Sequence, residues 1–527
     1  MDKSAQANKY MVLLTVTLGT MLSGYVSSSI NIALPNIIQT FGFTMDSVVW
    51  VSLAYMLPYG STLPIMGKLG DQFGRKKMYL IGLTIFTIAT FLVGLAWNST
   101  ILILFRILQG LGAGLLFPNS MALVAEAFPQ NERGQALGMW GAFAAAGSTL
   151  GPTIGGYIIE YLEWRLLFYS ILPLSLLGLL LGSKVLQESK NNGQTAKIDF
   201  VGGFLLIFSL SCMLLALNQG SKEGWTSAYI IGLSTSSILS MGAFLYVESH
   251  IANPLVDLRL FTNVTFTMSN IVGFLSNLAM FGGLFLLPFY LRNIQGYSAI
   301  KAGMSMLPLM GAMVILAPLG GRLADKFGSK IPASIGMAIM ALALFSFRLL
   351  DDKTAYSHIA FGLVVMGVGL AFTMSPLSNG VMGILPKDKI GVGSGVFNLF
   401  KNVGGSVGVA IMGTLLSSRQ IFHTAIGANY INTASEPATQ LIATLQGGFA
   451  QQGFAAGEAK VAALTIVQGL VTQQAAIAAF KDVFLVTAVL CAMGIIPALF
   501  IQDTKKNKQE TQATLIADQM QPAPAST

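Results

Sequence analysis

Apolar runs as long as a bilayer is thick recur along this chain and constrain its fold more than any other feature. A spanning helix needs roughly 20 predominantly apolar residues. Runs of that kind start near residues 11, 47, 78, 100, 135, 164, 199, 226, 264, 298, 331, 357, 391 and 482. Fourteen spans are therefore expected, and an even number returns both termini to one side. The runs are about twice the length of a barrel strand and do not alternate, which excludes a transmembrane β-barrel. Composition agrees: 54% of residues are hydrophobic and 10% charged, against about 25% charged in an average soluble domain. So little charge cannot clothe a soluble surface, which excludes soluble enzymes, nucleic-acid binders and disordered chains. The 57 glycines suit membrane helices. The fold class implied is an all-α polytopic membrane protein.

Orientation follows from the basic residues. With both termini cytoplasmic, inner loops and ends hold most of the 30 Lys and Arg, including Lys68, Arg75, Lys76 and Lys77 in one loop and Arg322, Lys326 and Lys330 in another. The net charge of +8 is thus mostly topology, and no nucleic-acid partner is implied. The first run is too long for a signal-peptide core and reads as a retained span. Cys212 and Cys491 fall inside apolar runs and form no CxxC pair. His250, His358 and His423 lie at span ends on both sides of the membrane and cannot form one site. There is no HExxH, GxSxG or P-loop, so no metal, no cofactor and no enzyme activity are expected, and ATP is not the driving force.

An internal repeat organises the spans. Residues 67–76 read GKLGDQFGRK and residues 321–330 read GRLADKFGSK, identical at six of ten positions, with Pro64 and Pro318 at matching places upstream. Both loops follow the second span of a group. The implied layout is a six-span bundle over 1–187, two linker spans over 188–263, a second six-span bundle over 264–501 and a polar cytoplasmic tail over 502–527. An Ala- and Gln-rich outer segment over 418–480 could form amphipathic helices lying on the outer face, either a helical hairpin capping the mouth or a surface docking a partner such as a periplasmic adaptor protein. Repeated halves with a site between them near the midplane are a transporter design. Gly67 and Gly74, like Gly321 and Gly328, permit tight turns and close helix approach. Asp71 and its counterpart Asp325 can accept hydrogen bonds from the free N–H groups of a helix start, while Arg75 meets carbonyl ends and headgroups. Such a latch, made in one state and broken in another, would gate the cytoplasmic side; a plain helical turn carrying positive-inside charge is the other reading.

Several segments resemble the major facilitator superfamily. GKLGDQFGRKK is similar to its signature loop between spans two and three. RILQGLGAG at 106–114 resembles its fourth-span motif with a buried arginine. GSTLGPTIGG at 147–156 resembles the fifth-span motif of exporters that exchange substrate for protons. INIALP at 30–35 and WVSLAYML at 50–57 resemble the first spans of the fourteen-span drug:proton antiporters of the EmrB/QacA type. The resemblance implies a major-facilitator fold of two pseudo-symmetric bundles plus two central helices. It also implies a secondary active, proton-driven exporter of amphipathic small molecules in the cytoplasmic membrane. A lipid or lipid-precursor translocator of the same fold is the alternative, and a monomer is expected.

Charge inside a membrane is a functional hypothesis by default. Arg106, followed by Gln109 and Gly110, could hold an anionic substrate, lower a neighbouring carboxyl's pKa, or bond helix carbonyls structurally; the resemblance associates this arginine with proton transfer. Lys401 lies in NLFKNVGGSVG, either facing a cavity or snorkelling to the interface. Gly147, Gly151 and Gly155, with Pro152 and Gly156, would form a packing groove or hinge on the fifth span. Thr20, Ser23, Ser27 and Asn31 recur at helical spacing on the first span. The repeat spacing carries these positions onto Phe274, Asn277, Phe281 and Phe285, so a hydroxyl-rich face would oppose an aromatic one across a cavity, unless the Phe stripe faces lipid. One departure from the resembled family matters: its usual first-span aspartate is Val26 here. No carboxylate stands near the middle of a span; Glu126, Asp199 and Glu248 approach cytoplasmic ends, and Asp46 and Asp482 the outer side. Proton coupling would then fall to Asp71, to Glu126 or to another route, with neutral or anionic amphiphiles as the expected substrates.

Overall fold

The computed structural model describes residues 3–44, 47–188, 199–251, 253–430 and 436–502. Asp46 and the tail beyond Gln502 lie outside the described residues. Those described form helices and no strand. In chain order the helices are α1 (Lys3–Phe41), α2 (Val49–Phe73), α3 (Arg75–Gly94), α4 (Ser99–Ala127), α5 (Arg133–Tyr161), α6 (Leu166–Tyr169), α7 (Leu172–Val185), α8 (Phe200–Glu223) and α9 (Ala228–His250). They continue as α10 (Val264–Asn293), α11 (Ala299–Met304), α12 (Leu307–Phe327), α13 (Lys330–Ser346), α14 (Tyr356–Ile384), α15 (Ile390–Tyr430), α16 (Glu436–Gln451), α17 (Ala456–Met493) and α18 (Ile495–Leu499).

Twelve helical segments among the described residues are long and apolar enough to cross a bilayer, where fourteen were expected. The two outside that set are α2 and α5. Both are long helices, but α2 carries Ser61, Thr62, Lys68 and Asp71, and α5 is diluted by glycine and hydroxyl residues. Their polarity has a packing reason: they form the contact between the two groups of helices. α5 lies against α12 and α14, and α2 lies against α15.

Within each group the same crossings recur. Gly82 and Gly112 bring α3 onto α4; Gly336 and Gly369 bring α13 onto α14. Gly147 seats on Met21 and Gly151 on the Tyr25 carbonyl, joining α5 to α1. Gly404 seats on Phe274 and Gly408 on Leu278, joining α15 to α10. Small residues let helix backbones approach closely, and this close packing is what associates helices in a bilayer. The extra pair α8 and α9 packs on itself, with α8 against α2 and α15. Ser221 Oγ and Trp225 Nε1 reach Thr414 Oγ1 of α15 at 2.8 and 2.9 Å.

Over 418–480 the described residues are the end of α15, all of α16 and the start of α17. α15 runs unbroken for 41 residues and α17 for 38, or about 60 Å at ~1.5 Å per residue, against a hydrocarbon core of about 30 Å. No proline interrupts either helix, so the Ala- and Gln-rich sequence, a good helix former, simply continues the buried helices past the bundle, with α16 packed on α17.

Candidate functional site

Two sites emerge, one at the end that carries the repeated loops and one inside the bundle. At the loop end α2 crosses α15 backbone to backbone: a Cβ on Gly67 would strike the Gly391 carbonyl, and one on Gly395 would lie 2.5 Å from the Leu63 carbonyl. This approach places Asp71 at the N-terminus of α15, where backbone N–H groups lack intrahelical partners. Asp71 accepts from Gly391 N and Val392 N, each at 2.9 Å. Arg75 Nη2 donates to Asp71 Oδ1 at 2.8 Å, and Arg75 Nη1 donates to Glu126 at 3.2 Å. The Asp71 and Arg75 side chains are 3% and 4% exposed, so the charge of each depends on the other.

The second copy makes the same contact from the other side. Gly321 packs on the Gly134 carbonyl where α12 crosses α5. Asp325 accepts from Gly134 N at 2.9 Å and Gln135 N at 3.1 Å, and from Asn379 Nδ2 at 3.0 Å. Arg322 Nε donates to Gln135 Oε1 at 3.0 Å. Both loops turn on glycine at positive φ, Gly74 at 101° and Gly328 at 82°. Two carboxylates, two helix N-termini and two glycine crossings thus clamp the groups of helices together at this end.

Inside the bundle Arg106 is fully buried. Its Nε donates to the Val51 carbonyl at 3.0 Å and its Nη1 to Gln109 Oε1 at 2.7 Å. The guanidinium lies 4.6 Å from the Tyr55 ring centroid. Gln109 passes the chain to Thr90 Oγ1 at 2.7 Å, and the Tyr55 hydroxyl shares a hydrogen bond with Ser23 at 2.6 Å. One network therefore ties α1, α2, α3 and α4. Gly110 lets α4 approach the Tyr55 carbonyl and Pro58. Glu126 does not join this cluster. It sits about 30 Å farther along α4 at ~1.5 Å per residue, with Arg75 in the latch.

Lys401 stands about 17 Å along α15 from Ile390 and is half-buried. Its Nζ lies 5.5 Å from the Phe397 ring centroid, and its stem touches the Gly273 position of α10. Among the described residues no hydrogen-bonded or ion-paired partner holds it.

The expected cavity face divides. Ser27 is half-buried and Asn31 exposed, the latter accepting from Ser52 Oγ at 3.2 Å. Thr20 is buried against its own helix, bonding the Thr17 carbonyl at 3.1 Å, and Ser23 is taken by Tyr55. Asn277 is buried and donates to the Gly273 carbonyl. Phe274 lies under Gly404, and Phe281 and Phe285 lie against Gly405 and Gly413 of α15. The register also differs by one residue from the repeat spacing. Gly147 sits on Met21 where Gly404 sits on Phe274, so Met21, not Thr20, matches Phe274. One residue turns a helix by about 100°, which moves the aromatic stripe off the hydroxyl face. In α5, Gly155 meets Ser29 and Gly156 is buried; Pro152 continues the helix. Val26, at the position of the resembled family's acid, is 1% exposed among apolar side chains. Sequence reasoning passed over Tyr55 and Asn379. Tyr55 reads as one more aromatic on an apolar helix, and Asn379 has no counterpart in the other copy of the latch.

Residues 16–409 match the family model described as Major Facilitator Superfamily. The chain belongs to the major facilitator superfamily. Among its relatives are the Multidrug transporter protein MdtP of Bacillus subtilis, 32% identical over 80% of this chain and 77% of that one, and the Tetracenomycin C resistance and export protein of Streptomyces glaucescens, 30% identical over 77% and 76%. The solved structure of the proton:xylose symporter XylE shares the fold, at a TM-score of 0.57 and 15% identity, covering 95% of this chain and 97% of that one. This member of the superfamily is a multi-pass membrane transporter with multidrug- and antibiotic-export relatives.

Proposed function

We propose that the chain is a secondary active exporter of amphipathic small molecules or drugs, working by alternating access in exchange for protons, as a fourteen-span antiporter of the EmrB/QacA type. The observation that carries the reading is the paired latch. Asp71 and Asp325 hold the helix groups closed at the loop end, so transport requires both clamps to open while the opposite end closes. Fourteen spans follow if α2 and α5, whose polar residues serve the contact between halves, cross with the twelve more apolar segments. The division into bundles at 1–187 and 264–501 around linker helices follows the same pairing. With the basic loops inside, both termini face the cytoplasm and the latch closes the cytoplasmic side. Protonating Asp71 or Glu126 would remove the charge that the helix start and Arg75 require, which gives protons a route to the latch without a first-span acid. Inside the bundle, the unpaired ammonium of Lys401 and the absence of an acid at Val26 favour neutral or anionic amphiphiles. The multidrug transporter MdtP and the tetracenomycin C export protein support drugs over lipids as substrates, so the lipid translocator is not favoured. A monomer suffices for this cycle, and the projecting helices around 418–480 leave room for a periplasmic adaptor.

The test is efflux from energised cells of two fluorescent probes of similar size, one cationic and one anionic, with and without an uncoupler. Uncoupler-sensitive expulsion of the anionic probe, lost in Lys401→Ala, is expected. Equal expulsion of the cation would refute the charge preference, and uncoupler-insensitive efflux would refute proton exchange.

A further inference from the structure

The two extra helices bring together a pair of acids that the transport reading does not use. Asp199 caps the start of α8, its Oδ1 accepting from Gly202 N at 2.9 Å. Glu248 lies in the last turn of α9, its Oε2 accepting from Val256 N at 3.3 Å. They are 8% and 4% exposed. Each keeps one buried oxygen, Asp199 Oδ2 and Glu248 Oε1, without a hydrogen-bond partner. The two bare oxygens face one small volume: a Cβ on Gly202 would strike Asp199 Oδ2 and lie 3.0 Å from Glu248 Oε1.

Two ionised carboxylates in such a space repel each other and leave two charged acceptors desolvated and unsatisfied. One proton resolves both defects, since a carboxylic O–H on one acid donates to the bare oxygen of the other. The surrounding charges do not replace it. From α2, Lys68 acts on Glu248 only at a distance, and its Nζ is committed to the Pro254 carbonyl at 3.3 Å. On α9, His250 turns to the Tyr246 carbonyl and Ser249. In the following segment Asp257 is paired with Lys389 at 2.6 Å.

These neighbours also connect the acids to the latch. Residues 254–257 are held by Glu248 through Val256 N, by Lys68 of α2 through the Pro254 carbonyl, and by Lys389, next to the start of α15, through Asp257. α2 carries Asp71, and the start of α15 carries the N–H groups that Asp71 accepts. We propose that Glu248 holds a proton against the bare oxygen of Asp199, taken from hydronium at the loop-end surface, and that its loss loosens residues 254–257 from α2 and α15 and so weakens the latch. The site is a pH sensor in the linker helices, independent of which solute is carried.

The test uses the full chain in lipid nanodiscs. Difference infrared spectroscopy across a pH series should show one protonated carboxyl C=O band that disappears as pH rises. Because one proton serves two acids, the band should vanish in both Glu248→Gln and Asp199→Asn. Asn keeps the helix cap, and melting curves establish that each variant is folded; Glu248→Gln, shaped like the protonated acid, carries the test alone if Asp199→Asn does not fold. Spin labels at Lys77→Cys and Asp388→Cys, both exposed, should show a longer distance appearing as the band titrates in the wild type and not in Glu248→Gln. Absence of a titrating band in the wild type, its survival in the folded variants, or an identical distance response in Glu248→Gln would each overturn the proposal.

Discussion

Replacing Asp71 with asparagine should open the loop end while leaving the protein folded. The wild-type carboxylate accepts two backbone N–H bonds at 2.9 Å from the start of α15 and two guanidinium bonds from Arg75, at 2.8 and 3.2 Å. Asparagine keeps one acceptor oxygen, so its amide N–H₂ must face one of the two backbone donors, and the buried Arg75 keeps only Glu126 as a counter-charge. Hydrogen bonds to charged groups contribute about 1.5–3 kcal/mol each. Losing one such bond and weakening the others should shift the closed state by about 2–4 kcal/mol, which is about 30- to 1,000-fold in the closed-to-open ratio. Cys212 and Cys491 are buried, so labels at Lys77→Cys and Asp388→Cys report without interference. Pulsed electron resonance should show one short distance in the parent at neutral pH and a dominant longer distance in Asp71→Asn. An unchanged distribution in Asp71→Asn would refute the idea that this carboxylate holds the halves together.

Asp325→Asn should shift the same distance in the same direction by a smaller amount, because Asn379 still donates to the retained oxygen; an effect larger than that of Asp71→Asn would contradict the accounting. Arg106→Lys should lower transport and thermal stability, since an ammonium cannot reach both the Val51 carbonyl and Gln109 while stacking on Tyr55. Breaking such a buried network costs about 3 kcal/mol or more, and full activity in Arg106→Lys would refute the positional role. Gly151→Val and Gly408→Val should each destabilise by about 1–3 kcal/mol through overpacking against α1 and α10. Gly141→Ala, where nothing stands within 4 Å, should be neutral or stabilising by up to about 1 kcal/mol; equal melting temperatures in all three would remove the close-packing account. Burial raises the pKa of the Asp257 carboxyl, and its bonds to Lys389 and Arg259 N outweigh that and hold it below its usual value. The stability it contributes is present above the ordinary carboxylate pKa of about 4 and is lost as pH falls through the depressed one. Acid melting curves should therefore separate the wild type from Lys389→Ala at neutral pH and converge at low pH; a gap that widened in acid would contradict the sign.

The repeat GKLGDQFGRK and GRLADKFGSK was legible because Asp, Phe and two glycines recur where a turn and a helix-start contact require those residue types. The glycine series at 147, 151 and 155 was legible for the same reason: nothing larger fits where α5 meets α1. What escaped the sequence is long-range. The repeat spacing is fixed in the loops, but the stretch from α10 to its loop is one residue longer than that from α1 to its loop, so every inferred partner on that helix was turned by about a quarter of a turn or more. Glu126 and Arg106 share a helix, and the fold adds which side chains each one meets. The α2 and α5 helices are less apolar than their neighbours because they bury backbone and small polar side chains against the other half, a constraint that a hydropathy sum does not register. The continuation of α15 and α17 past the bundle has no start or stop signal, since a good helix former next to a helix leaves no boundary to see.

Reconstitution into liposomes with an imposed proton gradient tests the central claim most directly. An amphipathic fluorescent substrate and an internal pH dye would be followed together. Coupled exchange predicts that the gradient drives substrate against the direction of proton flow, that adding substrate dissipates the gradient, and that Asp71→Asn uncouples the two. Substrate movement with the same rate and end point whatever the sign of the gradient would contradict the account.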